Sequence, residues 1–106
     1  DAFARQHGGN ARSTLLSRGQ RTRRWAICTG AGASSETLRE AEAANIDTLI
    51  TGEGPHHTFV EAPERGVAVI YAGHYATETL GVAHVAERIA REVTLPWSFI
   101  PAPTGS

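Results

Sequence analysis

From Arg24 onward, short apolar runs alternate with stretches of helical period, and this pattern narrows the fold more than any other feature. Trp25-Ala26-Ile27-Cys28 is an apolar run of strand length, Ile46 to Ile50 a second and Val67 to Ala72 a third. Such short runs suit strands covered on both faces. Helix signals lie between them. Ser34 or Ser35 can cap a helix with Glu36 in its first turn, with Leu38, Ala41 and Ala44 on one side and a stop near Asn45. Pro55 suits the first position of a second helix, which reaches about Ala62 and is stopped by Pro63 and Gly66. The longest helical pattern runs from about His74 to Val93. Leu95 to Ile100, with Pro96 near its start, predicts a fourth strand at a sheet edge. The order β-α-β-α-β-α-β predicts an α/β fold, a mostly parallel sheet with helices on both faces.

Residues 1–23 read differently, as a linker or the end of a preceding lobe, with residues 24–106 as the α/β domain. Asp1 to His7 suit the last turns of a helix ended by Gly8-Gly9-Asn10. Arg18, Arg21, Arg23 and Arg24 form a basic run without interleaved aromatic rings, which favours a solvated linker over a nucleic-acid surface. At 106 residues the chain makes one small domain. Its net charge of −1 gives no general attraction to nucleic acid or to anionic membrane. No apolar run approaches the roughly 20 residues of a membrane span. No secretory signal is visible, and a cytoplasmic location is expected. Cys28 is the one cysteine, so no intrachain disulfide can form; inside a strand it reads as a packed thiol. The chain begins with Asp1 rather than Met, as expected of a processed chain or part of a longer one.

In sheets of this kind, ligands sit beyond the carboxyl ends of the strands. The loops leaving those ends are Thr29 to Ser35, Thr51 to His57 and Gly73 to Glu78, which bring Ser34, Glu53, His56, His57, His74 and Glu78 as polar groups. Projected at about 100° per residue, Val82, Val85, Ile89 and Val93 form one stripe roughly 80° wide that is expected to be buried. His74 and Glu78 fall on or beside its N-terminal end. An unpaired buried carboxylate is costly, so Glu78 needs a partner or the helix mouth opens onto a site. A His and a Glu four residues apart can reach one metal ion. The same pair also suits an ordinary helix start, and the spacing alone leaves both readings open.

The glycine loop Gly30-x-Gly32 has Ser35 where a dinucleotide fingerprint has its third glycine. Amides around Gly30, Gly32 and Ser34 can bind an anion or make only a tight strand-to-helix turn. His56 and His57 point about 100° apart on a helix, so one can face the site, as general acid or base or as support for a ligand. Glu53 can partner a metal, a substrate or a histidine, or bond its own loop's amides. His84 falls on the polar face of the long helix and is expected in solvent.

Cys28-Thr29-Gly30-Ala31-Gly32-Ala33-Ser34, then Thr51-Gly52-Glu53, then Gly73-His74-Tyr75-Ala76-Thr77-Glu78 resemble the Nif-three-like proteins, also known as GTP cyclohydrolase 1 type 2 homologs. The resemblance runs from residue 24 to about 103, and its last motif is the most specific. It implies the C-terminal lobe of a two-lobed protein with a dinuclear metal centre between the lobes, assembled as a homo-oligomer, often a toroidal hexamer. His74 and Glu78 match the His and Glu of the family's Gly-His-x-x-x-Glu motif, so the resemblance implies that they are metal ligands. His57 matches a frequent His of the Thr-Gly-Asp/Glu loop and is implied to line the site; with Glu53 it is a candidate catalytic residue.

The family's other ligands, a His-His pair followed by Pro and an Asp, have no counterpart in residues 1–23. The chain is therefore expected to be a C-terminal fragment, inactive alone. The implied cofactors are two divalent ions, with Zn, Mn, Fe and Co suited to mixed imidazole and carboxylate ligands. Two such ions can activate a bridging water, which implies a hydrolase acting on a nucleotide or related compound. The alternatives are a non-catalytic metal-binding assembly or regulatory protein, and a nucleotide-binding module that uses the Gly30–Ser35 loop without metal. A small-molecule substrate is expected as partner, with neither membrane nor nucleic acid.

Overall fold

The computed structural model describes residues 11–14 and 19–104. The helix end expected over residues 1–7 and Arg18 of the basic run lie outside them. In chain order the elements are β1 (Arg12–Ser13), β2 (Trp25–Cys28), α1 (Ser35–Ala43), β3 (Thr48–Thr51), α2 (Thr58–Glu64), β4 (Ala68–Tyr71) and α3 (His74–Val93). They build an α/β fold on one mixed sheet of order β1-β4-β3-β2. Strands β2, β3 and β4 are parallel, and β1 runs antiparallel to β4.

Register and strand alternation decide the two faces. Ala26 lies beside Leu49 and Leu49 beside Val69, so these side chains share one face. There they meet Leu38 and Ala41 of α1 and Ala62 of α2, and Leu38, Leu49, Val67 and Val69 are fully buried. Phe59 stacks on Tyr71 with ring centroids 4.3 Å apart. The Thr58 hydroxyl donates to the Pro55 carbonyl at 2.7 Å, so the Tyr71 hydroxyl donates to Thr58, also at 2.7 Å. Burial pushes the Tyr71 phenol above its ordinary pKa, and the Thr58 bond opposes that shift.

Local chemistry sets the ends of α1. Ser34 Oγ accepts from the Thr37 amide at 3.1 Å, so Ser34 is the cap, and Asn45 takes the left-handed conformation (φ 57°) beyond the last turn. Asp47 then ties the chain back: its Oδ2 accepts from the amides of Arg23 and Arg24, each at 2.9 Å, ahead of β2. Those bonds, with one from Thr48, hold the Asp47 carboxyl below its ordinary pKa.

Four expectations are corrected. First, α2 begins at Thr58 and not at Pro55, because Pro55 to His57 form a turn closed by Thr58 N–H on the Pro55 carbonyl (3.0 Å). Pro63 lies inside this helix and does not stop it; the Arg65 amide bonds the Glu61 carbonyl beyond it at 3.0 Å. Second, Leu95 to Ile100 form no strand. Thr94 turns the chain in the left-handed conformation (φ 53°), and the Ala102 amide reaches the Tyr75 hydroxyl at 2.8 Å, so the segment returns to the start of α3. Pro96 and Pro101 cannot donate to a ladder, and β1 occupies the outer edge of β4. Third, Cys28 is exposed and not packed, because β2 is an edge strand. Fourth, the apolar stripe of α3 is not buried: Val82, Val85, Ile89 and Val93 are 54 to 61% exposed. With Leu80, and with Ile27 and Ile50 on the sheet's second face, Val82, Val85 and Ile89 of that stripe line an open groove of about 1080 Å³. Among the described residues no helix is long and apolar enough to cross a membrane.

Candidate functional site

Parallel pairing puts the carboxyl ends of β2, β3 and β4 along one edge, and Gly30, Gly52 and Gly73 follow within two residues of those ends. The three loops are knitted through the backbone. Glu53 N–H donates to the Gly30 carbonyl at 2.7 Å and Gly73 N–H to the Gly52 carbonyl at 2.9 Å. Thr77 adds a side-chain tie: its Oγ1 accepts from the Gly30 amide at 3.0 Å and donates to the Gly73 carbonyl at 2.9 Å. A Cβ at Gly52 would run into the Gly30 carbonyl oxygen, the Thr77 hydroxyl and the His74 α-carbon, so only glycine allows this approach. Gly73 has φ 105°, which lets the chain leave β4 and enter α3 in a single step, with His74 as the first helical residue.

That step aims His74 between two carboxylates. Its Nδ1 lies 2.6 Å from Glu53 Oε1 and its Nε2 3.3 Å from Glu78 Oε2. The hydrogen bond with Glu53 raises the His74 pKa; burial opposes the rise and the charge of Glu78 adds to it. Side-chain exposures of 36% for His74, 46% for Glu53 and 51% for Glu78 show a cluster that opens to solvent, not the buried carboxylate expected of Glu78. Gly30, at φ +66°, forms the floor: a Cβ there would lie 2.5 Å from Glu78 Oε1 and 3.3 Å from His74 Nε2.

Two donors about 2.0–2.1 Å from one tetrahedral ion stand about 3.3 Å apart, so the Nε2–Oε2 pair could hold an ion from two sides. Among the described residues no group of three or more His, Cys, Asp or Glu side chains is arranged to hold a metal. The geometry accounts for this, since Glu53 meets the opposite ring nitrogen and does not converge with Glu78.

Other candidates fall elsewhere. Of the loop amides proposed for an anion, that of Gly30 donates to Thr77, and the neighbouring Ala33 amide donates to the Glu53 carbonyl at 3.2 Å. A Cβ at Gly32 would meet Cys28 and Thr51, and the Ser34 hydroxyl caps α1. His57 precedes α2, and its Nε2 meets Ser35 Oγ at 3.2 Å. Ser35 Oγ donates to Glu61 Oε1 at 2.7 Å and so accepts from His57, which makes this group a tie between α1 and α2. His56 stacks loosely on Phe59, and His84 is exposed as expected. Sequence reasoning missed Thr77; a threonine in a first helical turn gives no sign that it grips a loop 47 residues earlier.

A mostly parallel α/β sheet with a histidine–carboxylate cluster on the loops at its carboxyl edge defines the class of protein. The model of the Duf34/NIF3 (NGG1p interacting factor 3) family matches residues 4–104, and the chain belongs to that family. It is 47% identical over 79 residues to the "GTP cyclohydrolase 1 type 2 homolog" of Deinococcus radiodurans, covering 74% of this chain and 29% of that protein. With the protein of the same name from Halobacterium salinarum the figures are 50% over 80 residues, 76% and 30%. The chain thus spans less than a third of the length of these two relatives. Among solved structures, protein ybgI, described as of unknown function, superposes with a TM-score of 0.81 at 28% identity over 98% of this chain and 41% of that one. TTHA1606 from Thermus thermophilus gives 0.62 at 41% identity over 76% and 31%.

Proposed function

We propose that the protein binds divalent metal through His74 and Glu78 and serves as a dinuclear metal-dependent hydrolase on a nucleotide or related compound. One observation carries this reading: His74 Nε2 and Glu78 Oε2 face each other at 3.3 Å over Gly30, where no Cβ intrudes. Nitrogen and carboxylate donors suit Zn, Mn, Fe or Co. On this reading further ligands come from outside the described residues. When bound, such ions supply hydroxide from water near neutral pH. The chain's own part is to fix two donors and to wall the site. Thr29, Thr77 and Glu78 border the apolar groove, and Ile27, Ile50 and Leu80 continue it, which suits the flat apolar face of a heterocycle. A cytoplasmic location accords with this substrate class.

The exposed face of α3 supports a second reading, a metal-binding homo-oligomer without turnover. A nucleotide panel assayed on the intact protein with and without metal separates the two. Metal analysis tests what they share. In the intact protein, His74→Ala and Glu78→Ala are each expected to lower bound metal per chain, with the circular dichroism spectrum unchanged. Unchanged metal with a melting point lowered as by loss of a helix cap, about 0.5–2 kcal/mol, would leave only a helix start here.

A further inference from the structure

We infer that Glu53 is the positioning residue of His74: it holds the imidazole by Nδ1 and so commits Nε2, on the Glu78 side, as the ligand nitrogen. The inference rests on the metal-binding reading and goes beyond it by naming which nitrogen is committed and what commits it.

The two contacts of the ring are unlike. At 2.6 Å, the Glu53–Nδ1 contact is a short, charge-assisted hydrogen bond. It is too close for two donors of one ion, which stand about 3 Å apart or more at bond lengths of about 2.0–2.1 Å. At 3.3 Å, the Glu78–Nε2 contact is long for a hydrogen bond and suits a shared ion. A neutral imidazole carries one ring proton, and an ionised carboxylate only accepts. The proton therefore sits on Nδ1, between ring and Glu53, and the lone pair points from Nε2 toward Glu78.

Glu53 is delivered to this place by its backbone. Its N–H donates to the Gly30 carbonyl at 2.7 Å and its carbonyl accepts from the Ala33 amide at 3.2 Å. Gly52 before it is packed too tightly for any side chain. With these amides bonded to main-chain carbonyls, the Glu53 carboxylate goes to His74 and not to its own loop. A carboxylate behind a ligand histidine fixes the ring's orientation and tautomer, and its loss lowers metal affinity about 10–100-fold.

The test uses the intact protein, purified and stripped of metal, in slightly alkaline buffer where imidazole is neutral. Nitrogen-15 NMR reads the tautomer of His74, assigned by the resonance missing in His74→Ala. Wild type is expected in the Nδ1–H form. Glu53→Ala is expected to shift His74 toward Nε2–H and to weaken Zn²⁺ binding about 10–100-fold. Glu53→Gln, whose amide oxygen still accepts, is expected to keep the Nδ1–H form and to lose less affinity than Glu53→Ala. If His74→Ala leaves Zn²⁺ affinity at the wild-type value, the metal-binding reading itself fails. If His74→Ala weakens Zn²⁺ binding while Glu53→Ala keeps the wild-type tautomer and affinity, that reading stands and the role of Glu53 is overturned.

Discussion

Gly30 carries two demands at once. Its φ of +66° is costly for other residues, and its missing side chain leaves the space that Glu78 Oε1 and His74 Nε2 occupy. In Gly30→Ala the new methyl group must displace the Glu78 carboxylate. The variant is expected to lose about 1 kcal/mol of stability from backbone strain and, on the proposed metal-binding reading, to make the intact protein bind Zn²⁺ more weakly. Calorimetric melting with chelator reads the first effect and Zn²⁺ titration the second; wild-type affinity would show that Glu78 need not rest on Gly30. At this scale the legibility of the sequence divides sharply. His74 and Glu78 lie four apart on one helix, so their meeting follows from helical geometry alone. Glu53 and His74 are 21 residues apart and meet only because three loops bond through their backbones. The glycine loop is conspicuous in the sequence, but which of its amides stay free is decided by tertiary bonds to Thr77 and Glu53.

The strands and helices from Trp25 to Val93 were legible as local patterns, although the prolines that flag α2 misplace its start and its stop. Gly73 and Thr94, both at positive φ, bracket α3 where the periodicity starts and stops. Strand pairing is not local. Leu95 to Ile100 is apolar enough for a strand, yet the outer edge of β4 is taken by Arg12–Ser13, too short a segment to announce itself. Asp47 shows how a tie between elements is tested. It accepts from two amides ahead of β2, and its folded pKa lies below the ordinary 3.8. A lowered carboxyl pKa stabilises the fold above the unfolded value, and that stability is lost as pH falls through the folded value. Melting points of wild type and Asp47→Asn, measured from neutral to strongly acid pH, are expected to differ most above about pH 4 and to converge below it. A constant gap across that range would mean that the charge of Asp47 contributes nothing to the tie.

For the whole molecule, the outstanding feature is asymmetry between the two faces of the sheet. One face is closed by α1 and α2 around Leu38, Leu49 and Val69, while the other ends in the groove of Ile27, Ile50, Leu80, Val82, Val85 and Ile89. The helical period marks the stripe on α3 as apolar but says nothing of what lies opposite it, which is why burial was expected and exposure found. A contiguous apolar face of this kind drives association in water. The occupant proposed for its helical side, Val82, Val85 and Ile89, is a second copy of the chain, in line with the homo-oligomer implied by the resemblance, while the end at Ile27, Ile50 and Leu80 stays with the proposed substrate. Light scattering on the protein is expected to give a mass above that of one chain. Val85→Asp combined with Ile89→Asp places two charges where a partner would bury them, which is strongly unfavourable in an interface yet nearly neutral on a surface already more than half exposed. The double variant is therefore expected to be a monomer with an unchanged circular dichroism spectrum and a melting point no longer dependent on concentration. A monodisperse monomer for the unsubstituted chain, or an oligomer that survives both aspartates, would remove this face from the assembly.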